Sequence, residues 1–329
     1  MGSEGTRRDK THEVLITLYK RRWSTVLGQN VKNMHKSRII KDKTAQATMF
    51  VLTVVSILFV VVMFVGLYLK SAPVLQGESL WHLLTSSEWK PMKGEFGFLP
   101  FIAGTLWVTL IAILLALPVS LLTAVYLTEY ARPRYRKFIF PALDILASLP
   151  SVVYGIWGTL VIVPFISNRI APRFVEYSSG YTVLAAGIVL GVMVLPLLVS
   201  LFIEVFSMVP KDLREASYAL GATRWQTTRK VVIRKTLTGV IASTVLAISR
   251  AMGETIAVLM VCGCVMTLPN GVLDGCYPIP ALIANNYGEM LSMPLYESAL
   301  MLAALILFVV VLIFNLLSRI VLYRMSNKV

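Results

Sequence analysis

An arginine and a glutamate of this chain, Arg250 and Glu254, stand four residues apart within a long apolar stretch. If the stretch is helical, this spacing places both side chains on one face, about one turn apart. The guanidinium of Arg250 can offer a planar fork of donors to an oxyanion, and Glu254 can then prevent that anion from being held too tightly. The two can also form a structural ion pair facing the interior of a helix bundle. An anion pathway and a structural pair are therefore both open at this point.

A second polar element lies at residues 149–155, where Pro150 is followed by Ser151, Tyr154 and Gly155. A proline beside small residues is typical of a broken or closely packed membrane helix next to a cavity. We predict that Ser151 and Tyr154 line the same pathway as Arg250 and Glu254. Asp144 is another conspicuous charge within the predicted spans, and we place it near the cytoplasmic third of its span.

Patterns for catalysis or for a metal site are absent from the sequence. It contains no G-x-x-x-x-G-K-[ST] phosphate loop, no H-E-x-x-H and no G-x-S-x-G, so we predict no catalytic residue and no bound metal. Cys262 and Cys264 have the wrong spacing for zinc and no nearby histidine. We interpret them as small packed residues, with a disulfide between Cys264 and Cys276 as the open alternative.

Hydropathy sets the fold class. The 329 residues are 57% hydrophobic, whereas soluble domains average about 45–50% apolar. A membrane span needs about 20 apolar residues, so we predict an all-α membrane protein with six transmembrane helices in a permease domain over residues 47–325. The six predicted spans are 47–69, 99–128, 138–166, 181–208, 237–266 and 296–322.

The basic residues alternate in density between successive loops. Residues 1–46 carry eleven Lys and Arg and residues 209–236 carry seven, whereas residues 267–295 carry none. The positive-inside rule then places both termini in the cytoplasm. It also accounts for the formal charge of +14 without nucleic acid as a partner. The basic segment 1–46 is either an amphipathic helix lying on anionic membrane lipid or a tail without fixed structure.

The charged stretch 211–236 lies between two apolar spans, on the predicted cytoplasmic side. We predict two short helices: Asp212 caps the first, with Glu215 completing a capping box, and Gly221 ends it in the left-handed conformation. Thr223 and Gln226 cap the second in the same way. An apolar face formed by Leu213, Ala216 and Leu220 fits a groove of another protein.

Three of these segments resemble a known family. LREAS at 213–217, followed by GAT at 221–223, resembles the EAA coupling motif of ABC importer permeases. LPSVVYGIWG at 149–158 and RAMGETIAV at 250–258 resemble the PstC-type permeases of the phosphate-specific Pst system, over about residues 47–325. Two departures are Ser217, the third residue of the EAA triplet, and Arg234, where the family often has proline.

The resemblance implies a type I ABC importer (MetI-like) permease fold with a cytoplasmic coupling helix, in the inner membrane of a prokaryote. It implies that the coupling helix depends on Glu215, Ala216 and Gly221, and that Arg250 and Glu254 belong to a phosphate pathway. The implied partners are a PstA-like second permease, two PstB-like ATPase subunits and a PstS-like phosphate-binding protein. No cofactor is expected in this chain, because ATP and magnesium would be bound by the ATPase.

Other functions remain open on the residues alone. An arginine fork serves sulfate or molybdate as well as phosphate, so only the resemblance favours phosphate. A channel that works without ATP would leave the capped cytoplasmic segment without a purpose. A membrane-embedded enzyme is disfavoured, because His12, His35 and His82 all lie outside the predicted spans.

Overall fold

The computed structural model describes residues 42–288 and 293–326, and these residues are mainly helical. Two short strands, β1 (Trp89–Lys90) and β2 (Glu95–Phe96), pair antiparallel. In chain order the helices are α1 (Asp42–Gly77), α2 (Leu80–Thr85), α3 (Leu99–Tyr130), α4 (Pro133–Ser148), α5 (Ser151–Arg173), α6 (Val183–Ser207), α7 (Lys211–Ala219), α8 (Arg224–Met252), α9 (Ile256–Leu259), α10 (Ile279–Asn286) and α11 (Pro294–Ser326).

Six of the described helices are long and apolar enough to cross a membrane, namely α1, α3, α5, α6, α8 and α11. The prediction of six spans is confirmed. The chain divides into two compact units, residues 1–65 and residues 66–329. The described part of the first unit is the apolar N-terminal portion of α1. The predicted basic segment 1–46 lies almost entirely outside the described residues.

The core of the second unit is built around α3 and α6, which share its most extensive helix–helix contact among the described residues. Small residues allow the two backbones to approach closely. A Cβ atom added to Gly191 would lie 3.1 Å from the carbonyl oxygen of Ala112, and one added to Gly187 would lie 2.5 Å from Cγ2 of Ile111. We infer that α3 and α6 move together as one body.

An aromatic cluster joins the β-hairpin to the first turns of α3 and α11. The ring of Trp89 makes edge contacts with four others, at centroid distances of 5.4 Å to Phe96, 5.5 Å to Phe98, 4.8 Å to Phe101 and 5.9 Å to Tyr296. Edge-to-face pairs at these distances stabilise beyond their buried area. The hairpin therefore fixes the spacing of these two helix ends.

The third predicted span, 138–166, was wrong in its bounds, because it merges two helices. Helix α4 ends at Ser148, Leu149 is extended with ψ 134°, and α5 begins at Ser151. The ring of Pro150 disfavours helical backbone at the residue before it, which explains the break. Asp144 consequently lies on α4, where it is exposed, and not within a span.

The fifth predicted span, 237–266, was also wrong in its bounds. Helix α8 starts at Arg224 and ends at Met252, so the second short cytoplasmic helix that we predicted continues directly into the span. At its end, the amides of Gly253 and Glu254 donate to the carbonyls of Arg250 and Ala251, each at 3.2 Å. Such i→i−3 bonds tighten the last turn of a helix, and α9 follows after a short non-helical step.

Candidate functional site

The end of α8 lies beside the membrane-crossing parts of two other helices. Ile248 and Met252 of α8 line an apolar cavity of about 240 Å³ together with Leu106 of α3 and Phe314 of α11. Non-helical backbone at membrane depth is tolerated where it is buried in protein or lines a water-filled cavity. The interruption after Met252 follows directly on a residue that lines a cavity between three helices long enough to cross a membrane.

Arg250 is the charged side chain at this interruption. It lies two residues before the end of α8 and is exposed. The salt bridges of the described residues do not include it. A cation in the last turn is favoured by the helix dipole, but this effect leaves the donors of the guanidinium available to an anion.

Glu254 does not share a helix face with Arg250, so our prediction of that geometry was wrong. The regular helix stops at Met252, because the amides of Gly253 and Glu254 bond to carbonyls three residues back and not four. Instead of pairing with Arg250, the carboxylate Oε1 of Glu254 lies 3.5 Å from the amide nitrogen of Ala257. Glu254 is half-buried and belongs to the short connection between α8 and α9.

Helix α9 holds the Glu254 segment against α5. A Cβ atom added to Gly155 would lie 3.3 Å from Cα of Ala257 and 2.5 Å from Sδ of Met260. Thr159, which the sequence analysis did not single out, donates to the carbonyl of Met260 at 3.2 Å. The structure thus brings together the two motifs at 149–158 and 250–258.

Ser151 and Tyr154 occupy the first turn of α5. The hydroxyl of Tyr154 is directed back across the helix break, where it donates to the carbonyl of Leu146 at 2.7 Å, and its side chain is buried. Ser151 is half-buried and makes no hydrogen bond with its hydroxyl among the described residues. Ser151 is consequently available to a ligand, whereas Tyr154 joins α4 to α5.

We expect Gly158→Ala to destabilise the protein by about 1–3 kcal/mol, the usual cost of overpacking a core. The new methyl group would lie 2.5 Å from Cγ2 of Val189, a buried β-branched residue, and 3.0 Å from Cγ1 of Val261. Because a β-branched side chain in a helix has one preferred rotamer, Val189 cannot easily move away. Thermal unfolding of the purified protein in detergent measures the change.

Gly66→Ala is the matched control, since a Cβ atom at Gly66 has nothing within 4 Å. It should leave the unfolding temperature unchanged or raise it slightly. Equal unfolding temperatures for Gly158→Ala and the wild type would contradict the close packing of α5 on α6.

Helix α7 ends as predicted but begins differently. Pro210 precedes its first residue and no side chain caps it, so the predicted capping box of Asp212 with Glu215 was wrong. Asp212 lies in the first turn, where a carboxylate is favoured by the helix dipole. The predicted box fails because the helix starts at Lys211, directly after Pro210, so that Asp212 lies inside the first turn and not at the N-cap position.

Gly221 terminates α7 in the left-handed conformation, with φ 79°. Its amide donates to the carbonyl of Tyr218 at 2.9 Å, and the next amide, of Ala222, donates to the carbonyl of Ser217 at 3.2 Å. These two bonds form the Schellman motif. This prediction is confirmed.

The start of α8 is confirmed as well. Thr223 and Gln226 form the predicted capping box, with side chain and backbone bonded in both directions. The hydroxyl of Ser217 lies 2.9 Å from that of Thr227, which is fully buried. The departure from the EAA triplet at Ser217 therefore supplies a bond between α7 and α8.

The outer surface of α7 is accessible, since none of its residues is buried, and it carries apolar residues among charged ones. Leu213 is 41% exposed and Leu220, just after the helix, is 90% exposed. Glu215, Ala216 and Gly221 are exposed on the same segment. Exposed apolar residues with polar neighbours indicate an interaction surface.

The three cysteines are free, so the alternative of a disulfide between Cys264 and Cys276 does not hold. The sulfur atom of Cys264 instead lies 3.9 Å from that of Cys262. Among the described residues, no group of three or more His, Cys, Asp or Glu could hold a metal ion.

Comparison with known proteins agrees with this architecture. The family described as binding-protein-dependent transport system inner membrane component matches residues 116–327. The phosphate transport system permease protein PstC of Xylella fastidiosa is 35% identical over 326 residues, covering 95% of this chain and 98% of the relative. A probable PstC of Methanocaldococcus jannaschii is 33% identical, covering 91% of this chain and 99% of the relative.

Two solved structures share the fold. A chain of the bacterial alginate ABC transporter superposes with a TM-score of 0.55 at 15% identity, covering 84% of this chain and 94% of that chain. One from the inward-facing MetNI methionine ABC transporter superposes with a TM-score of 0.52 at 20% identity, covering 70% and 94%. These likenesses establish the MetI-like permease fold.

Proposed function

This chain belongs to the family of binding-protein-dependent transport system inner membrane components and, within it, to the PstC-type permeases, and we propose that it moves inorganic phosphate into the cytoplasm by alternating access. It is a multi-pass membrane protein and a permease subunit of an ABC importer. The observation that carries the proposal is the exposed Arg250 at the interrupted end of α8, beside the membrane-crossing parts of α3 and α11.

Arg250 has the chemistry that a phosphate pathway needs. Its planar fork matches the geometry of phosphate oxygens, and no carboxylate among the described residues forms a salt bridge with it. The half-buried Glu254 lies on the following connection, where its negative charge repels the anion and favours release. Ser151 adds a hydroxyl, while Tyr154 holds the helix break in position.

The energy comes from outside this chain, which lacks a phosphate loop for ATP. The partners in our proposal are a PstA-like permease, two PstB-like ATPase subunits that bind ATP and magnesium, and a PstS-like phosphate-binding protein. The chain lies in the cytoplasmic membrane of a prokaryote with both termini in the cytoplasm. When the ATPase subunits bind ATP and close, they displace α7. The two permease subunits then rotate against each other, so that the cavity near Arg250 opens outward. ATP hydrolysis returns the importer to its starting conformation.

The test is uptake of labelled phosphate, with labelled sulfate in parallel, by cells that lack this chain and are complemented with it or with an empty vector. We expect rescue of phosphate uptake and no change in sulfate uptake. Membrane insertion is confirmed by immunoblotting of the membrane fraction. If only sulfate uptake were rescued, the substrate would be an oxyanion other than phosphate. If phosphate uptake were rescued in cells that lack the ATPase subunits, a channel would be favoured.

A further inference from the structure

One guanidinium joins the cytoplasmic ends of α3 and α6 to α7. Nη2 of Arg214, on α7, donates to Oε1 of Glu129 at 2.9 Å and to the carbonyl of Phe206 at 2.9 Å. Nη1 donates to the carbonyl of Val209 at 2.7 Å. Glu129 belongs to the last turn of α3, and Phe206 to the last turn of α6. The sequence gives no sign of this contact, because Glu129 and Arg214 are 85 residues apart.

The pair is shielded from solvent. The side chain of Glu129 is 7% exposed and that of Arg214 is 17% exposed. A carboxylate at the C-terminal end of a helix is disfavoured by the helix dipole, and the carbonyls at the end of α6 attract a cation. The guanidinium therefore neutralises two helix ends that would otherwise repel each other.

The bonds of Arg214 are concentrated at its two terminal nitrogens. Its Nε is buried and has no partner in the part of the chain that the structure describes. The three bonds from Nη1 and Nη2 thus hold the side chain between the membrane helices, away from the exposed apolar surface of α7. This orientation separates Arg214 from the residues that face the ATPase in our proposal.

The two membrane helices differ in how they are connected to α7. Residues 208–210 join α6 to α7 along the chain, but their backbone is not helical, so this connection alone does not fix the orientation of α7 against α6. Helix α3 has no such connection and meets α7 through Glu129. Because α3 and α6 pack as one body, the bonds from Arg214 to Glu129 and Phe206 attach α7 to that body at a second point besides the chain connection.

We propose that the Arg214–Glu129 ion pair is the link that holds α7 in a fixed orientation on the α3–α6 body, so that displacement of α7 moves this body and couples ATP hydrolysis to transport. Arg214 and Glu129 are positioning residues, since they act through the helices they join and not on the transported anion. The inference rests on the proposed function, because it assigns a route for the energy that the importer uses.

The test uses the complete importer reconstituted in proteoliposomes, in which phosphate uptake and ATP hydrolysis are measured together. The variants are Glu129→Gln, Arg214→Gln and the double variant. Arg134→Gln, which removes an exposed arginine of α4, is the matched control. Contacting residues commonly couple by an amount equivalent to about tenfold, so we expect each single variant to transport about tenfold less phosphate per ATP hydrolysed.

The double variant should lose no more than the single variants, since the link is already broken in each. Glu129→Asp should recover part of the loss, because it keeps the charge. An unchanged ratio of phosphate to ATP in Glu129→Gln, or losses that multiply in the double variant, would overturn the proposal. If Arg214→Gln prevents assembly of the importer, the Glu129→Gln variant is sufficient to test the proposal, because it keeps the bonds from Arg214 to the carbonyls of Phe206 and Val209.

Failure of the proposed function would be seen separately, as absence of phosphate uptake by the wild-type importer. Stimulation of ATP hydrolysis by the loaded binding protein does not depend on which oxyanion is carried. Loss of that stimulation in Glu129→Gln would still support the link, whereas stimulation retained together with a wild-type ratio of transported anion to ATP would refute it.

Discussion

Replacing Arg250 with glutamine is expected to reduce phosphate uptake by about 10- to 100-fold, because a hydrogen bond to a charged group contributes about 1.5–3 kcal/mol. The amide of glutamine keeps some donor capacity but loses the charge and the planar fork. Arg250 is exposed at the end of α8 and forms no salt bridge within the described residues. Its removal therefore leaves no buried carboxylate unpaired, and the substitution should weaken binding of the anion without destabilising the fold.

The measurement is labelled-phosphate uptake at several concentrations in the complemented strain, normalised to the inserted protein. Arg250→Lys, which keeps the charge without the fork, should give intermediate uptake. Arg234→Gln is the matched control, since Arg234 is an exposed arginine in the first half of the same helix, 16 residues before Arg250. If the Arg250→Gln variant took up phosphate at the wild-type rate, Arg250 would have no role in binding the anion, although the chain could still be part of a phosphate importer.

Features encoded within a few neighbouring residues could be predicted from the sequence. The capping box of Thr223 with Gln226 and the left-handed Gly221 depend on hydrogen bonds within one turn, so residue type and spacing are sufficient. The six spans follow from length and hydropathy alone. The predicted box at Asp212 failed because Pro210 shifted the helix start, although each residue fitted the pattern.

The errors at the candidate site have a different cause. Hydropathy alone does not show where the backbone leaves the helix, so the predicted spans ran across Pro150, although the sequence suggested a broken helix there, and across Gly253. The relation of Arg250 to Glu254 was therefore inferred for a helix that ends between them. Contacts distant in sequence, such as Thr159 with Met260, need the tertiary structure, because no local pattern specifies them.

The second large effect is expected from Gly221→Pro, which should reduce phosphate uptake to the level of cells without this chain. Proline fixes φ near −65°, whereas Gly221 has φ 79°, and it also removes the amide that donates to Tyr218. The end of α7 must then rearrange, at a cost of about 3 kcal/mol or more. Leu220 and the entry to α8 would be displaced from the surface that meets the ATPase in our proposal.

The effect can be assigned to the backbone, because a Cβ atom at Gly221 has nothing within 4 Å. Asparagine tolerates the left-handed conformation, so Gly221→Asn should retain most of the uptake although it adds a larger side chain. The six spans lie outside the altered turn, so both variants should reach the membrane in equal amounts, which immunoblotting and co-purification of the ATPase subunits will measure. Uptake by Gly221→Pro equal to that of the wild type, at equal insertion, would show that energy enters this permease by a route other than α7.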